Sequence, residues 1–385
     1  MFDRNDRGLQ FYNAVNTGSS LLFSVLEFNG LFKLSDYNKP AQFVGFFPNA
    51  KEDALRLHRT VLIKDDELFF IPFRGHNISV YSTQTGRMYN IPVEVDKIAL
   101  ITQVIQINKG EYLFIPFKFE NSFFSFSIES KEICRLGKLT NEICKFDTGI
   151  RVGGRSFDFF CADIYKDRFL YLAMIGTNSV LEINLLDMHV TKIELSSCKI
   201  ANLIVFKDLI YLTSCSGNSV ICYNPRNNKE KVYIIETSKS YERAFYAFIN
   251  YKETLLLLPF EADDIYRYDE KKDEWVKFFC ISECREFKRD KGSNQSLFLG
   301  TSVDENGNLL LYPRSGNGML KLNEAGEVEG FYPIIYSDEF RRCKLAIDSA
   351  EFKKRIKTEN LIMESSTDNL ESYISTFLDL SQMIN

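Results

Sequence analysis

Imidazole and carboxylate groups are the side chains best equipped for proton transfer or metal binding, and this 385-residue chain has only three histidines, His58, His76 and His189. A positioned imidazole or carboxylate can act as a general base, and several that converge can hold a metal ion. His76, Glu120, Glu261 and Asp263 each lie a few residues after a proline that ends an apolar run. Two such carboxylates facing each other across a cleft would suit acid/base work on a glycosidic bond. Arg74, Lys118 and the amides of Asn77, Asn121, Asn178 and Asn218 add groups able to hold sugar hydroxyls or a peptide.

Other chemistries find no footing. The nine cysteines, Cys134, Cys144, Cys161, Cys198, Cys215, Cys222, Cys280, Cys284 and Cys343, include no CxxC pair, so they read as reduced thiols. Gly153-Gly154 precedes neither a Lys-Ser/Thr pair nor a helical pattern, which excludes a phosphate-cradling loop or a dinucleotide fingerprint. No cofactor is expected.

Whether the candidate groups meet depends on the elements that carry them, and those elements repeat. Seven apolar runs reach one fixed position, at Ser24, Pro72, Pro116, Ala173, Thr213, Pro259 and Pro313. Five residues later stand Asn29, Asn77, Asn121, Asn178, Asn218, Asp264 and Gly318. Successive first members are 48, 44, 57, 40, 46 and 54 residues apart, the spacing of β-propeller blades. In the second unit, Val61 to Ile63 and Leu68 to Ile71 form strands around the turn Lys64-Asp65-Asp66-Glu67, with Pro72 where the strand leaves the sheet. A third strand from Asn77 to Tyr81 and a fourth from Arg87 to Pro92 complete the blade. First-hairpin turns recur at Asn16-Thr17-Gly18, Asn108-Lys109-Gly110, Lys166-Asp167, Lys207-Asp208, Asn250-Tyr251-Lys252 and Asn306-Gly307, residues that tolerate tight turns.

The expected fold is therefore all-β, a seven-bladed β-propeller of four-stranded antiparallel blades over residues 10–338. Either the first repeat, near Phe11 to Phe47, is a complete blade, or a strand from the other end of the chain closes the ring and six blades remain. In this frame His76 lies between the second and third strands, His58 precedes a first strand, and His189 lies in a turn before a fourth strand. Such different positions are not expected to converge, so no metal site is expected. The repeated Asn either caps its loop through the backbone or joins a ring of amides at the channel mouth.

Long intervals mark insertions around Leu139 to Arg155 and Cys280 to Gln295, which includes Lys288. Past the repeats, Asp348 and Glu351 form a capping box. Leu370, Tyr373, Ile374, Phe377 and Leu378 then follow helical spacing. A helical extension over 345–385 is expected, with self-association through that stripe as one use.

Phe (34) and Tyr (19) far outnumber Met (7) and Trp (1), as suits pleated surfaces packed face to face. A net charge of -5 from 47 basic and 52 acidic residues offers no broad positive field, so nucleic acid is not an expected partner. No 18-residue apolar run exists and MFDRNDRGLQ is not a secretory signal, so the expectation is a cytoplasmic protein without membrane insertion.

The units ELFFIPFRGHNISVYSTQTGRMYNIPV, DLIYLTSCSGNSVICYNPRNNKEKVYII and TLLLLPFEADDIYRYDEKKDEWVKFF resemble blades of the kelch-type propeller superfamily, in a divergent bacterial form. The likeness spans about residues 10 to 335. It departs from the kelch pattern in lacking paired glycines before the second strand and in having only Trp275 at the usual tryptophan. The resemblance implies a propeller and points to a role accessory to cell-surface polysaccharide biosynthesis. Likeness to lyase propellers that open cyclic peptide antibiotics is confined to architecture, since their paired channel histidines have no counterpart. The leading expectation is a non-catalytic binding or scaffolding propeller with a protein or glycan partner. A carboxylate-dependent hydrolase or lyase at the channel mouth is the alternative.

Overall fold

In the computed structural model, the described residues are 10–18, 20–51, 54–91, 101–117, 122–146, 151–152, 155–156, 159–196, 199–281, 297–314, 318–334 and 337. Seven four-stranded antiparallel sheets cover residues 14–45, 58–91, 101–135, 159–194, 200–234, 245–280 and 298–333. Each sheet takes its strands in simple chain order, so each is one blade of a seven-bladed β-propeller. The first repeat is a complete blade, Ala14–Asn16, Leu21–Ser24, Leu31–Leu34 and Gln42–Gly45. Among the described residues, no strand is exchanged to close the ring.

Turn chemistry explains the meander. Lys166-Asp167, Lys207-Asp208 and Lys252-Glu253 all carry positive φ, the left-handed geometry that two-residue hairpins require. In blade 2 the strands are His58–Lys64, Glu67–Pro72, Ile78–Ser82 and Met88–Ile91. The first begins three residues before the expected Val61.

That extra length contains a β-bulge between His58 and Thr60. Equivalent register shifts lie near the start of the first strand in blades 3 to 7. A bulge places two residues opposite one and re-aims a side chain.

First strands of neighbouring blades meet from blade 2 to blade 6 and between blades 7 and 1, which places them on the inner side of the ring. Fourth strands are the most exposed, as in Lys229–Ile234. Apolar clusters lie between blades, for example Val15, Leu22, Phe47, Leu68 and Phe70 between blades 1 and 2. Side chains also join inner strands across seams. Gln103 exchanges hydrogen bonds of 2.7 and 2.8 Å with the Ala162 backbone, and Asp163 accepts the Val205 N–H at 2.8 Å.

The seam between blades 7 and 1 is closed by packing. Phe11 meets Tyr312 with ring centroids 4.5 Å apart, and Tyr37 meets Tyr332 at 4.9 Å. The Gln10 side chain donates to the Arg314 carbonyl. Gly300 approaches so closely that a Cβ there would overlap the Tyr12 carbonyl oxygen.

The insertion after blade 3 holds an α-helix, Gly137–Cys144, which buries Leu139 and Ile143 against blades 3 and 4. The repeat spacing marked an insertion here, and the helix within it was not expected from the sequence. A two-stranded hairpin, Arg151–Val152 with Arg155–Ser156, follows it. Gly153, Lys288 and the expected helical extension over 345–385, with its Leu370 to Leu378 stripe, lie outside the described residues.

Candidate functional site

In a four-stranded meander, the loop between strands 2 and 3 and the connection to the next blade emerge at the same end. Hydrogen bonds here tie the two loop sets together. Arg74 N–H donates to the Arg56 carbonyl at 3.1 Å, Gly217 N–H to the Glu242 carbonyl at 2.6 Å, and Ala262 N–H to the Ala244 carbonyl at 3.1 Å. Among the described residues, Arg74, His76, Asn77, Asn178, Asn218, Glu261 and Asp263 lie on or beside the loops between second and third strands, and the helix Gly137–Cys144 lies in the connection between blades 3 and 4, so these belong to this end.

The bulges supply part of its inner lining. Arg59 and Tyr246 are the extra residues in blades 2 and 6. The Arg59 guanidinium lies over Tyr12 at 5.3 Å and over Phe73 at 5.6 Å, contacts that hold a cation on aromatic faces. Arg243 lies over Phe260 at 4.3 Å and donates Nε–H to the Phe245 carbonyl at 3.2 Å. Burial lowers the proton affinity of the Arg314 guanidinium, Arg56 and Arg59 add to that lowering, and Tyr12 and Tyr246 oppose it. An arginine–aromatic arc thus runs from blade 6 through blade 7 to blade 2. Glu27 lies beside it and accepts the Gln10 backbone N–H at 2.8 Å.

Next to the arc, between blades 1 and 2, is a cavity of about 350 Å³. Arg74, His76 and Asn77 line it, joined by Lys51, His58, Ser79 and Asn90. Arg74, His76 and Lys51 are exposed, so they form its lip, whereas His58 and Ser79 are buried. His58 was expected to stand apart from His76. The bulge and the longer first strand bring both to the same cavity.

The two rings differ in chemistry. His58 Nδ1 is 3.1 Å from Ser24 Oγ and Nε2 is 3.2 Å from Ser79 Oγ. Phe47 and Phe70 pack edge-on to it, and burial lowers its pKa to about 3. His58 is therefore a neutral, satisfied imidazole at neutral pH. Asn90, on the fourth strand opposite Ser79, donates its amide to the Pro48 carbonyl at 2.7 Å. Its Oδ1 is buried with no hydrogen-bond partner.

Glu261 and Asp263 lie across the ring on blade 6. Glu261 accepts the Arg243 backbone N–H at 3.2 Å; Asp263 accepts the Tyr241 hydroxyl at 2.8 Å and has Lys239 at 3.9 Å. Nearby, a second cavity of about 520 Å³ is lined by Asn218, Glu236, Lys239 and Tyr241. Lys118, Glu120 and Asn121 lie outside the described residues. Among the described residues, no group of three or more His, Cys, Asp or Glu side chains could hold a metal ion, and no helix is long and apolar enough to cross a membrane.

Three of the repeated amides, Asn29, Asn178 and Asn218, turn toward the backbone. Asn29 donates to the Phe47 and Ala50 carbonyls at 2.9 and 3.1 Å and accepts the Phe47 N–H at 2.9 Å. Asn178 donates to the Leu195 carbonyl at 3.0 Å, and Asn218 to that of Ile235. Each ties the start of the third strand to the chain leaving the fourth.

Sequence reasoning missed Asn90, Arg59, Arg243 and Arg314. A run of repeats could have flagged Arg59 and Tyr246 only if the bulge had been recognised, because each sits one residue out of the alternating pattern. Asn90 gave no signal.

No protein-family model matches the chain, and no curated protein matches it. Solved structures do resemble it. The extracellular domain of a putative hybrid two-component system from B. thetaiotaomicron is 13% identical with a TM-score of 0.52, over 82% of this chain and 38% of that one. Virginiamycin B lyase from Staphylococcus aureus is 10% identical with a TM-score of 0.55, over 82% and 95%. PorZ, a surface component of the type-IX secretion system of Porphyromonas gingivalis, is 11% identical with a TM-score of 0.55, over 85% and 38%. The chain therefore spans little more than a third of the length of the two-component-system domain. At such identities the likeness is one of fold, shared by proteins as different as a lyase and a secretion component. The chain is a seven-bladed β-propeller.

Proposed function

We propose that this propeller is a non-catalytic binding module that takes a glycan on the loop-bearing end of its channel. One observation carries the reading. That end combines a small cavity lined by fixed amide, hydroxyl and imidazole groups with exposed Arg74 and His76 at its lip. Ligand sites on rigid scaffolds have this character, with a few placed polar groups inside a concave wall. Binding without turnover fits because His58 is held neutral by burial and already bonded to two serines, while Glu261 and Asp263 are engaged by neighbouring donors. The resemblance of its repeats to bacterial kelch-type blades adds to this reading a role accessory to cell-surface polysaccharide biosynthesis.

The test is recovery of bound carbohydrate and protein from native cell extract, using the full chain beside an Arg74→Ala/His76→Ala variant. Carbohydrate lost from the variant supports the reading. Equal recovery by both proteins removes this end as the binding surface, and loss of a protein alone replaces the glycan with a protein partner.

A further inference from the structure

At the seam between blades 5 and 6, two phenols share one carboxylate. Tyr233, on the fourth strand of blade 5, and Tyr268, on the third strand of blade 6, each donate a hydroxyl to Asp273 Oδ1 at 2.5 Å. Bonds to an ionised acceptor are strong. The Lys231 ammonium joins the same carboxylate, and with both hydroxyls it lowers the Asp273 pKa to about 2. The acceptor is therefore charged at neutral pH.

Beside the phenols stands Trp275, the one tryptophan of the chain. It lies opposite Tyr268 in the ladder, with ring centroids 5.4 Å apart, and rings in such contact exchange an electron without an intermediate carrier. The indole Nε1–H is buried and meets no acceptor among the described residues. An oxidised indole here has no base for its proton, so it is discharged by an electron from a neighbour.

Tyr268 is the neighbour equipped to give one. A phenol that loses an electron becomes a strong acid, and the Tyr268 proton already points at Asp273, as proton transfer requires. Tyr211 also meets the indole, at 6.2 Å, but its ring is buried and its hydroxyl bonds to Tyr268. Lys231 lies over the Tyr233 ring at 4.5 Å, and a cation on that face resists loss of an electron.

We propose that Tyr268 is an oxidative modification site fed through Trp275. A small one-electron oxidant such as the carbonate radical takes an electron from the indole and becomes its anion. Tyr268 restores that electron and passes its hydroxyl proton to Asp273, leaving a neutral phenoxyl radical. Nitrogen dioxide then forms a C–N bond at the ring carbon next to the phenol carbon; that carbon loses its proton, the oxygen regains one, and nitrotyrosine results.

Pulse radiolysis of the full chain with the azide radical, which oxidises indole in preference to phenol, follows the transfer directly. The indolyl radical should decay into a phenoxyl radical at a rate independent of protein concentration. Tyr268→Phe should abolish this phase, and Asp273→Asn should slow it about tenfold. Tyr233→Phe removes an equal bond to Asp273 and should keep the parent rate, which separates electron transfer from packing. Peroxynitrite in bicarbonate, a source of carbonate radical and nitrogen dioxide, should nitrate Tyr268 ahead of Tyr233 and Tyr112, and Trp275→Phe should remove that preference. The proposal is overturned if the indolyl radical decays only between molecules, if Tyr268→Phe or Asp273→Asn keeps the parent rate, or if Tyr268 is not among the first tyrosines nitrated.

Discussion

Ser24 Oγ lies 3.1 Å from His58 Nδ1, joining the second strand of blade 1 to the first strand of blade 2 through a buried imidazole. The ring's other nitrogen reaches Ser79. Both bonds can be kept by a neutral imidazole, because each hydroxyl rotates to donate or accept.

Acid should therefore weaken this seam. The unfolded chain takes up a proton on His58 near pH 6.5, whereas the folded protein resists until about pH 3. Stability is thus complete above the unfolded value and declines as pH falls between these limits, by at most about 1.4 kcal/mol per pH unit. Urea midpoints from pH 7.5 to 4.5 should fall more steeply for the parent than for His58→Gln. Parallel curves would show that His58 does not carry the dependence.

Blade 7 contains a buried ion pair, Lys321 Nζ to Asp304 Oδ2 at 2.9 Å, with Glu329 at 3.0 Å from the same ammonium. Burial opposes the charge on Lys321, but the two carboxylates outweigh it and raise its proton affinity. Lys321→Met leaves Asp304 buried without its cation and should cost about 3–5 kcal/mol. Adding Asp304→Asn should recover part of that loss. Chemical denaturation of the four proteins gives the coupling, and additive losses would count against it.

The clamp formed by Asn29 is fully buried and makes three hydrogen bonds, whereas exposed Asn178 makes one through its side chain. Asn29→Ala should cost on the order of 2–3 kcal/mol and Asn178→Ala about 1 kcal/mol. Thermal melts rank the pair. A reversed order would mean that the repeated amide is not principally a backbone tie.

Thiol labelling should follow the same geometry. Cys161 is buried, its sulfur accepts the Leu203 N–H at 2.8 Å, and burial pushes its pKa up to about 12. Cys134 and Cys144 are exposed. With iodoacetamide at pH 8, mass spectrometry should find the exposed pair modified first and Cys161 only as the blade 4–blade 5 seam opens. Early modification of Cys161 would contradict its placement.

At Gly300, any side chain meets the backbone of Tyr12. Gly300→Ala should destabilise the protein by about 1–3 kcal/mol, as overpacking does. Limited proteolysis should then cut within residues 10–20 sooner than in the parent. Unchanged stability and cleavage would show that this contact does not hold the seam.

Most of the architecture was legible because turns and strand ends repeat in register. Lys166-Asp167 and Lys207-Asp208 mark first hairpins in the chain and in the structure alike, and the turn read over Lys64 to Glu67 narrows to Asp65-Asp66 because Lys64 and Glu67 pair in the ladder. The loop carrying Arg74, His76 and Asn77 could be placed between the second and third strands of its blade for the same reason. His58 could not be placed beside it, because a bulge shifts its strand by one residue and nothing in its own side chain announces that. Asn90 and Arg314 reach the rim through tertiary closure, from a fourth strand and from the last blade, so local pattern does not reveal them. Individual amides were ambiguous from sequence since a capping Asn and a ligand-binding Asn look alike.

Because blade 1 owns all four of its strands, blades 1 and 7 meet like the cut ends of a split washer, gripped by Phe11, Tyr37, Tyr312 and Tyr332 without a hydrogen-bonded ladder across the gap. Mechanical load pulling those two sectors apart would meet side-chain friction instead of a zipper of peptide bonds. The toroid can then spring open at one circumferential point while six blades keep their internal pairing.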